Sequence, residues 1–122
     1  MIQAVAADLQ YYVYILASGV GGTLYIGVTS DPIKRVWEHK GDFVDGFSKE
    51  YGVHMLVYFE LHESMEDAIL REKRMKKWNR AWKLRLIEEK NPQWRDLYAD
   101  LVSPSSQDSV QGASPSSQDS TA

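Results

Sequence analysis

Three short apolar runs, each rich in β-branched and aromatic residues, lie in the first half of the chain. Residues 11–17 read YYVYILA, residues 23–28 read TLYIGV, and residues 54–61 read HMLVYFEL. Runs of this length and composition are typical of β-strands. The first two are separated only by the glycine-rich segment SGVGG, so the pattern predicts a β-hairpin followed by a third strand.

A helix is predicted between the second and third strands. Ser30 or Asp31 is placed to accept hydrogen bonds from the free amide groups of the first turn. Pro32 suits the start of the helix because it has no amide hydrogen to satisfy. The helix runs to about Lys40, and the polar stretch that follows, 41–52, is predicted to be a loop.

Two further helices are predicted after the third strand. Ser64 followed by Asp67 is a capping pattern, and it precedes a helix over 65–78. A second helix covers 80–89 and is stopped by an Asn-Pro pair. The apolar stripe of the first of these helices consists of Met65, Ala68, Ile69, Met75 and Trp78.

The order β-β-α-β-α-α predicts an α+β domain with a small, mostly antiparallel sheet of three strands. The segment 94–102 is predicted to close the domain as a short helix or turn that docks Trp94 and Leu97. We expect the four tryptophans to lie in the core, because a single small domain has few other large residues to fill it.

The chain is expected to form one domain with a segment on either side. Residues 1–10 form a short N-terminal extension, and residues 11–102 form the domain. The tail, 103–122, contains SPSSQDS twice and has Val110 as its one large apolar residue. Such a segment cannot bury enough surface to offset the entropy of ordering it, so the tail is predicted to be disordered.

The composition excludes several functional classes. The absence of cysteine removes disulfides, thiolate metal ligands and a cysteine nucleophile. No apolar run approaches the roughly 18 residues of a membrane-spanning helix. The N terminus lacks the basic and apolar regions of a secretory signal, so the cytoplasm is the expected compartment.

The net charge of −3 is distributed unevenly along the chain. Residues 1–70 hold 4 lysines and arginines against 10 acidic residues, whereas residues 71–90 hold 9 against 3. A local charge of this kind can attract a polyanion even in an acidic protein, although a solvated, charge-rich helix would show the same pattern. The residues expected to contact nucleic acid are Arg71, Lys73, Lys76, Lys77, Arg80 and Lys83.

Five polar residues together suit the hydrolysis of a phosphodiester. Tyr14 and Tyr25 lie on the two strands of the hairpin. Arg35 and His39 share one face of the first helix because they are four residues apart, and Glu72 lies on the long helix. Singly, each is explained by packing, a solvated helix face or a surface ion pair. Together they offer a carboxylate for a hard cation, donors for a phosphate and a side chain to accept a proton.

Four segments resemble the GIY-YIG nuclease superfamily, and most closely its small stand-alone bacterial members. They are VYIL and LYIG in the strands, DPIKRVWEHK in the first helix and AILREKRMKKW in the long helix. The resemblance covers roughly residues 11–97 and implies a three-stranded antiparallel sheet flanked by helices. It also implies an endonuclease that depends on Mg²⁺ or Mn²⁺ and hydrolyses phosphodiester bonds in DNA. Such an enzyme would nick DNA or cut particular DNA structures, in repair or recombination.

The resemblance further assigns a role to each candidate residue. Tyr14 and Tyr25 would position or deprotonate the attacking water. Arg35 would stabilise the transition state, and His39 would assist proton transfer or orientation. Glu72 would be the single carboxylate that binds the metal.

The chain departs from the family pattern at two points. Tyr12 replaces the glycine of the first motif, although the catalytic tyrosine is kept. Asn79 and Asn91 are both candidates for the late asparagine of many relatives, and Asn91 is retained as an accessory residue together with Lys76. Two other functions stay open, namely an inactive nucleic-acid-binding module of the same fold and a plain interaction domain.

Overall fold

The computed structural model describes residues 10–43 and 46–103, and it contains one antiparallel sheet. The strands are β1 (Tyr11–Ala17), β2 (Leu24–Thr29) and β3 (Met55–His62), in the order β2-β1-β3. Both neighbours run antiparallel to the central strand β1. The predicted α+β fold with a three-stranded antiparallel sheet is therefore confirmed. Across the two described ranges, no helix has both the length and the apolar character needed to cross a bilayer.

Five helices occur in the part of the chain that the structure describes. They are α1 (Pro32–Lys40), α2 (Phe47–Tyr51), α3 (Met65–Lys77), α4 (Arg80–Lys90) and α5 (Tyr98–Val102). Asp31 rather than Ser30 caps α1, since its carboxylate accepts a hydrogen bond from the amide of Lys34. Ser64 caps α3 in the predicted way by accepting from the amide of Asp67 at 3.1 Å.

The loop predicted over 41–52 is wrong in one respect, because it contains the short helix α2. Five residues are too few to show a helical period, so the sequence offered no pattern there. The predicted extension and the predicted disordered tail fall mainly on residues 1–9 and 104–122, which lie outside the described residues.

Hydrophobic side chains fill both faces of the sheet. On one face, Val13 and Ile15 of β1 pack with Ala68 and Met75 of α3 and with Ile87 of α4. On the other face, alternate residues of the same strand pack against α1 and the C-terminal segment. This second cluster consists of Tyr14, Leu16, Val36, Val53 and Leu56. The two clusters place α1 and α3 on opposite faces of the sheet.

Some apolar residues that we expected in the core are on the surface. Met65 and Ile69 of α3 are 45% and 36% exposed, so the buried stripe of this helix is narrower than the sequence suggested. Trp94 is buried, as expected, but Trp37 and Trp82 are 54% and 51% exposed. The expectation that the tryptophans form the core is thus correct for only part of the set.

The segment after α4 covers the outer edge of β3. Asp96 accepts a hydrogen bond from the amide of Leu56, and the amide of Leu97 donates to the carbonyl of Leu56 at 2.7 Å. Lys40, at the end of α1, forms an ion pair with Asp96 and also donates to the carbonyl of His54. The C-terminal segment therefore ties the end of α1 to the sheet.

Candidate active site

The first feature of the site is the close packing of Tyr14 against Gly27. The register of the hairpin places these two residues opposite each other on β1 and β2. A Cβ atom built on Gly27 would lie 2.5 Å from Tyr14 Oη and 2.6 Å from Cζ. The backbone of Gly27 is not in the left-handed region, so the reason for glycine here is the tyrosine ring that occupies the space of a side chain.

The buried core of the site is a tyrosine and a histidine. Tyr14 is 1% exposed and His39 is fully buried, and Tyr14 Oη lies 3.3 Å from His39 Nε2. Tyr25 completes an aromatic group, with its ring centroid 5.1 Å from that of His39 and 6.3 Å from that of Tyr14. The fold thus brings together three predicted site residues from β1, β2 and α1.

Burial keeps the tyrosine and the histidine neutral at physiological pH. The pKa of Tyr14 is raised well above its usual value, mainly by burial and then by the neighbouring Tyr25, while Arg35 partly opposes the change. The pKa of His39 is lowered, first by burial and then by the positive charge of Arg35. His39 Nδ1 is buried without a hydrogen-bond partner among the described residues. The pair can therefore donate and accept hydrogen bonds but carries no net charge.

Arg35 supplies the positive charge beside this neutral pair. Its guanidinium interacts with Tyr14, and Nη1 donates a hydrogen bond to Glu38 Oε1 at 3.2 Å. Its side chain is 41% exposed, so its remaining donors can reach a ligand in solvent. Glu38 was not among the predicted site residues, although its position three residues after Arg35 on a helix predicts this contact.

Glu72 is the carboxylate that best suits a metal. Its side chain is only 17% exposed, and its negative charge helps to raise the pKa of Tyr14, although burial has the largest influence on that pKa and Glu72 the smallest. Glu72 Oε2 forms an ion pair with Lys76 Nζ at 3.0 Å. The described residues contain no group of three or more histidine and carboxylate side chains that could hold a metal. One carboxylate fits Mg²⁺, which keeps several waters and takes further oxygens from substrate phosphates.

A surface cavity of about 280 Å³ lies beside β2, and Tyr25 is one of the residues that line it. It is lined by Leu24, Tyr25 and Ile26 of β2 and by Lys76 and Lys83 from the two long helices. The cavity joins a half-buried tyrosine of the site to two lysines that we expected to contact nucleic acid. Lys73 and Lys77, the other predicted lysines, are exposed on α3.

Two arginines of the predicted nucleic-acid set have other partners. Arg71 donates to both oxygens of Glu60 on β3, at 2.8 and 3.3 Å, and its guanidinium lies over the ring of Trp78. Arg80 donates to the carbonyls of Gly21 and Gly22 and so closes the hairpin loop. These contacts favour structural roles.

Asn91, which we expected as an accessory residue, makes its described hydrogen bonds to backbone groups. Its side chain is buried, donates to the carbonyls of Val57 and Arg95, and accepts from the amide of Arg95 at 2.9 Å. All three bonds are made to backbone, so Asn91 organises the turn after α4. Asn79, the other candidate, caps α4 by accepting from the amide of Trp82.

Comparison with known proteins identifies relatives that align over about two thirds of this chain and over nearly all of their own length. A UPF0213 protein from Syntrophus aciditrophicus (strain SB) is 39% identical over 83 residues, which cover 67% of this chain and 93% of the relative. A UPF0213 protein from Staphylococcus aureus (strain Mu3) is 35% identical over 80 residues, covering 66% and 96%. The solution NMR structure of a UPF0213 protein from Bacillus halodurans aligns with 28% identity and a TM-score of 0.46, covering 71% of this chain and 92% of that chain.

The model of the GIY-YIG catalytic domain matches residues 10–85, which include both tyrosines, Arg35, His39 and Glu72. The match extends over more than half of the chain and ends before the segment that covers β3. The chain therefore belongs to the GIY-YIG family, whose catalytic domain is a nuclease that acts on nucleic acids.

Proposed function

We propose that this protein is a divalent-metal-dependent endonuclease that hydrolyses phosphodiester bonds in DNA, by nicking or by structure selection, in repair or recombination. The observation that carries the proposal is the convergence of Tyr14, Tyr25 and His39 with Arg35 on one face of the sheet. These residues come from three elements, and ordinary packing does not require an arginine beside a buried tyrosine–histidine pair.

The charged residues of the site would act on the phosphate. Glu72 would hold Mg²⁺ or Mn²⁺, and the cation would offset negative charge on the scissile phosphate. Arg35 would donate hydrogen bonds to the phosphate oxygens as their charge grows in the transition state. The exposed part of its side chain is where a phosphate would bind.

The neutral residues would act on the attacking water. The ring of Tyr25 lies beside those of His39 and Tyr14, and its hydroxyl would help to position the water. Tyr14 is buried, and its raised pKa keeps its proton at Oη in the free protein. His39 Nε2 would fix the orientation of that hydroxyl and would accept its proton as Tyr14 Oη takes one from the attacking water.

A cleavage screen over plasmid, single-stranded, branched and RNA substrates tests the proposal. The purified protein is expected to cut at least one DNA substrate in Mg²⁺ or Mn²⁺ and none in EDTA. Glu72→Gln and Arg35→Ala should abolish cleavage, whereas Glu66→Gln, the same change on the exposed first turn of α3, should leave it intact.

The screen also separates the alternatives. Equal cleavage by wild-type protein and Glu72→Gln would point to a contaminating nuclease and would refute the assignment. Binding that weakens steeply with salt, without cleavage in any metal, would identify an inactive nucleic-acid-binding module of the same fold. A protein that binds no nucleic acid and whose melting temperature is indifferent to Mg²⁺ would be a plain interaction domain.

A further inference from the structure

The ion pair between Glu72 and Lys76 joins two side chains of very different exposure. The carboxylate side chain is 17% exposed, whereas the lysine side chain is 54% exposed. The lysine ammonium sits on a flexible four-carbon stem, so it can change partner without disturbing the helix. The carboxylate, held against the sheet, is the fixed member of the pair.

The same lysine also lines the surface cavity, together with Tyr25 and Lys83. Lys76 thus has two places for its charge, the carboxylate on its own helix and any anion in the cavity. A cation bound by Glu72 would meet the ammonium at 3.0 Å from the same carboxylate oxygen. Two positive charges that share one carboxylate oxygen repel each other, so metal and ammonium cannot both use that oxygen favourably.

We propose that Lys76 exchanges partners during substrate binding. In the metal-free protein it neutralises Glu72, and when a divalent cation takes the carboxylate it pairs with a phosphate of the nucleic acid in the cavity beside Lys83. This inference rests on the proposed function, because it takes Glu72 as the metal ligand. Its consequence is that metal and nucleic acid bind cooperatively. The metal releases Lys76 for a phosphate, and the phosphate releases Glu72 for the metal.

The metal arm of the test uses Mn²⁺ alone and measures free Mn²⁺ by electron paramagnetic resonance. Lys76→Met should bind Mn²⁺ about two- to fivefold more tightly than wild type, because a competing ion pair of this type is weak but real. Arg74→Met, which removes one positive charge from the same helix but not from the pair with Glu72, should keep the wild-type affinity. Equal affinity of Lys76→Met and Arg74→Met would overturn the exchange.

The nucleic-acid arm measures the anisotropy of a labelled phosphorothioate oligodeoxynucleotide, which resists cleavage, as NaCl is raised. In Mn²⁺, Lys76→Met should lower the slope of log affinity against log salt by about one ion compared with wild type. In EDTA the slopes of the two proteins should agree, since Lys76 is then paired with Glu72. The same reduction with and without Mn²⁺ would show that Lys76 contacts phosphate independently of the metal and would refute the exchange.

Glu72→Gln distinguishes a failure of this inference from a failure of the proposed function. If Glu72→Gln loses Mn²⁺ binding while Lys76→Met matches Arg74→Met, the metal assignment survives and the exchange is wrong. If Glu72→Gln binds Mn²⁺ as wild type does, the metal site lies elsewhere and both proposals fall.

Discussion

Replacing Gly27 by alanine adds one methyl group where the buried ring of Tyr14 already occupies the space. The new Cβ would lie 2.5 Å from Tyr14 Oη and 2.6 Å from Cζ, distances that no pair of these atoms tolerates. Tyr14 is 1% exposed and packed between the sheet and α1, so its ring cannot swing into solvent. The substitution therefore has to shift the tyrosine, the strand or both.

The stability cost follows from two opposing terms. Overpacking of this kind costs typically about 1–3 kcal/mol. Replacing glycine by alanine also restricts the unfolded chain, which returns about 0.4–1 kcal/mol where the backbone is compatible, as it is at Gly27. The free energy of unfolding should therefore fall by about 1–2 kcal/mol, which lowers the melting temperature by roughly 4–16 °C in a domain of this size.

The effect on activity should be larger than the effect on stability. Restoring ordinary contact requires Tyr14 to move by nearly 1 Å, which also changes its hydrogen bond to His39 Nε2. A misplacement of about 1 Å in an active site can cost about 100-fold in rate. We expect a loss of this order in single-turnover cleavage, measured well below the melting temperature of the variant.

Gly19→Ala is the matched control for this experiment. It makes the same change in the hairpin loop, where an added Cβ meets no atom within 4 Å. Thermal melts followed by circular dichroism and cleavage assays should show Gly19→Ala close to wild type. Wild-type cleavage and melting by Gly27→Ala would refute the claim that the glycine exists to accommodate Tyr14.

Two further predictions concern residues outside the site. Asn91→Ala should lower the free energy of unfolding by about 2–4 kcal/mol in urea titrations, because it leaves buried backbone groups of Val57 and Arg95 unpaired. A smaller loss of stability than that of Asn79→Ala would contradict the structural role of Asn91. For Glu60, burial opposes ionisation, but hydrogen bonds from Arg71 and other neighbours outweigh it and lower the pKa. The ionised carboxylate therefore stabilises the fold above its ordinary pKa, and Glu60→Gln should melt at a lower temperature than wild type at pH 7. This difference in melting temperature should vanish as the pH falls through the pKa of Glu60 in the folded protein. A difference that does not change with pH would contradict the prediction.

The fold could be predicted from the sequence because each strand carries a continuous apolar pattern of its own. The burial of both faces of β1 explains why YYVYILA lacks clear alternation between polar and apolar residues. Exposed aromatic residues were harder to foresee. Trp37 lies on the outer side of α1 because it stacks on Phe43, with ring centroids 5.0 Å apart, and Phe43 belongs to the segment after the helix. Periodicity within one helix carries no information about such a partner.

The candidate site was predictable to a different extent. The resemblance pointed to residues that the structure brings together, since motif spacing reflects a shared three-dimensional arrangement. The positive charge along α3 and α4 predicted a set of residues for nucleic acid, but a charge pattern does not tell which side chains already have partners. Arg71 is held by Glu60 from a strand eleven residues earlier, and Arg80 by carbonyls of the hairpin loop. Lys76 and Lys83 also have partners, but both line the cavity beside β2, which only the folded chain shows.

The position of the site on the sheet explains why some of its side chains are neutral and buried whereas others are charged. Since α1 and α3 cover opposite faces, Arg35 and Glu72 can serve one phosphate only around an edge of the sheet. Among the described residues β2 pairs with β1 alone, so β2 is such an edge, and the cavity beside Tyr25 lies there. The neutral Tyr14–His39 pair can be buried against the sheet without the cost of burying a charge. The charged side chain of Arg35 is 41% exposed, so solvent and a long polyanion can both reach it. A polymer substrate needs such an open edge more than it needs an enclosed pocket.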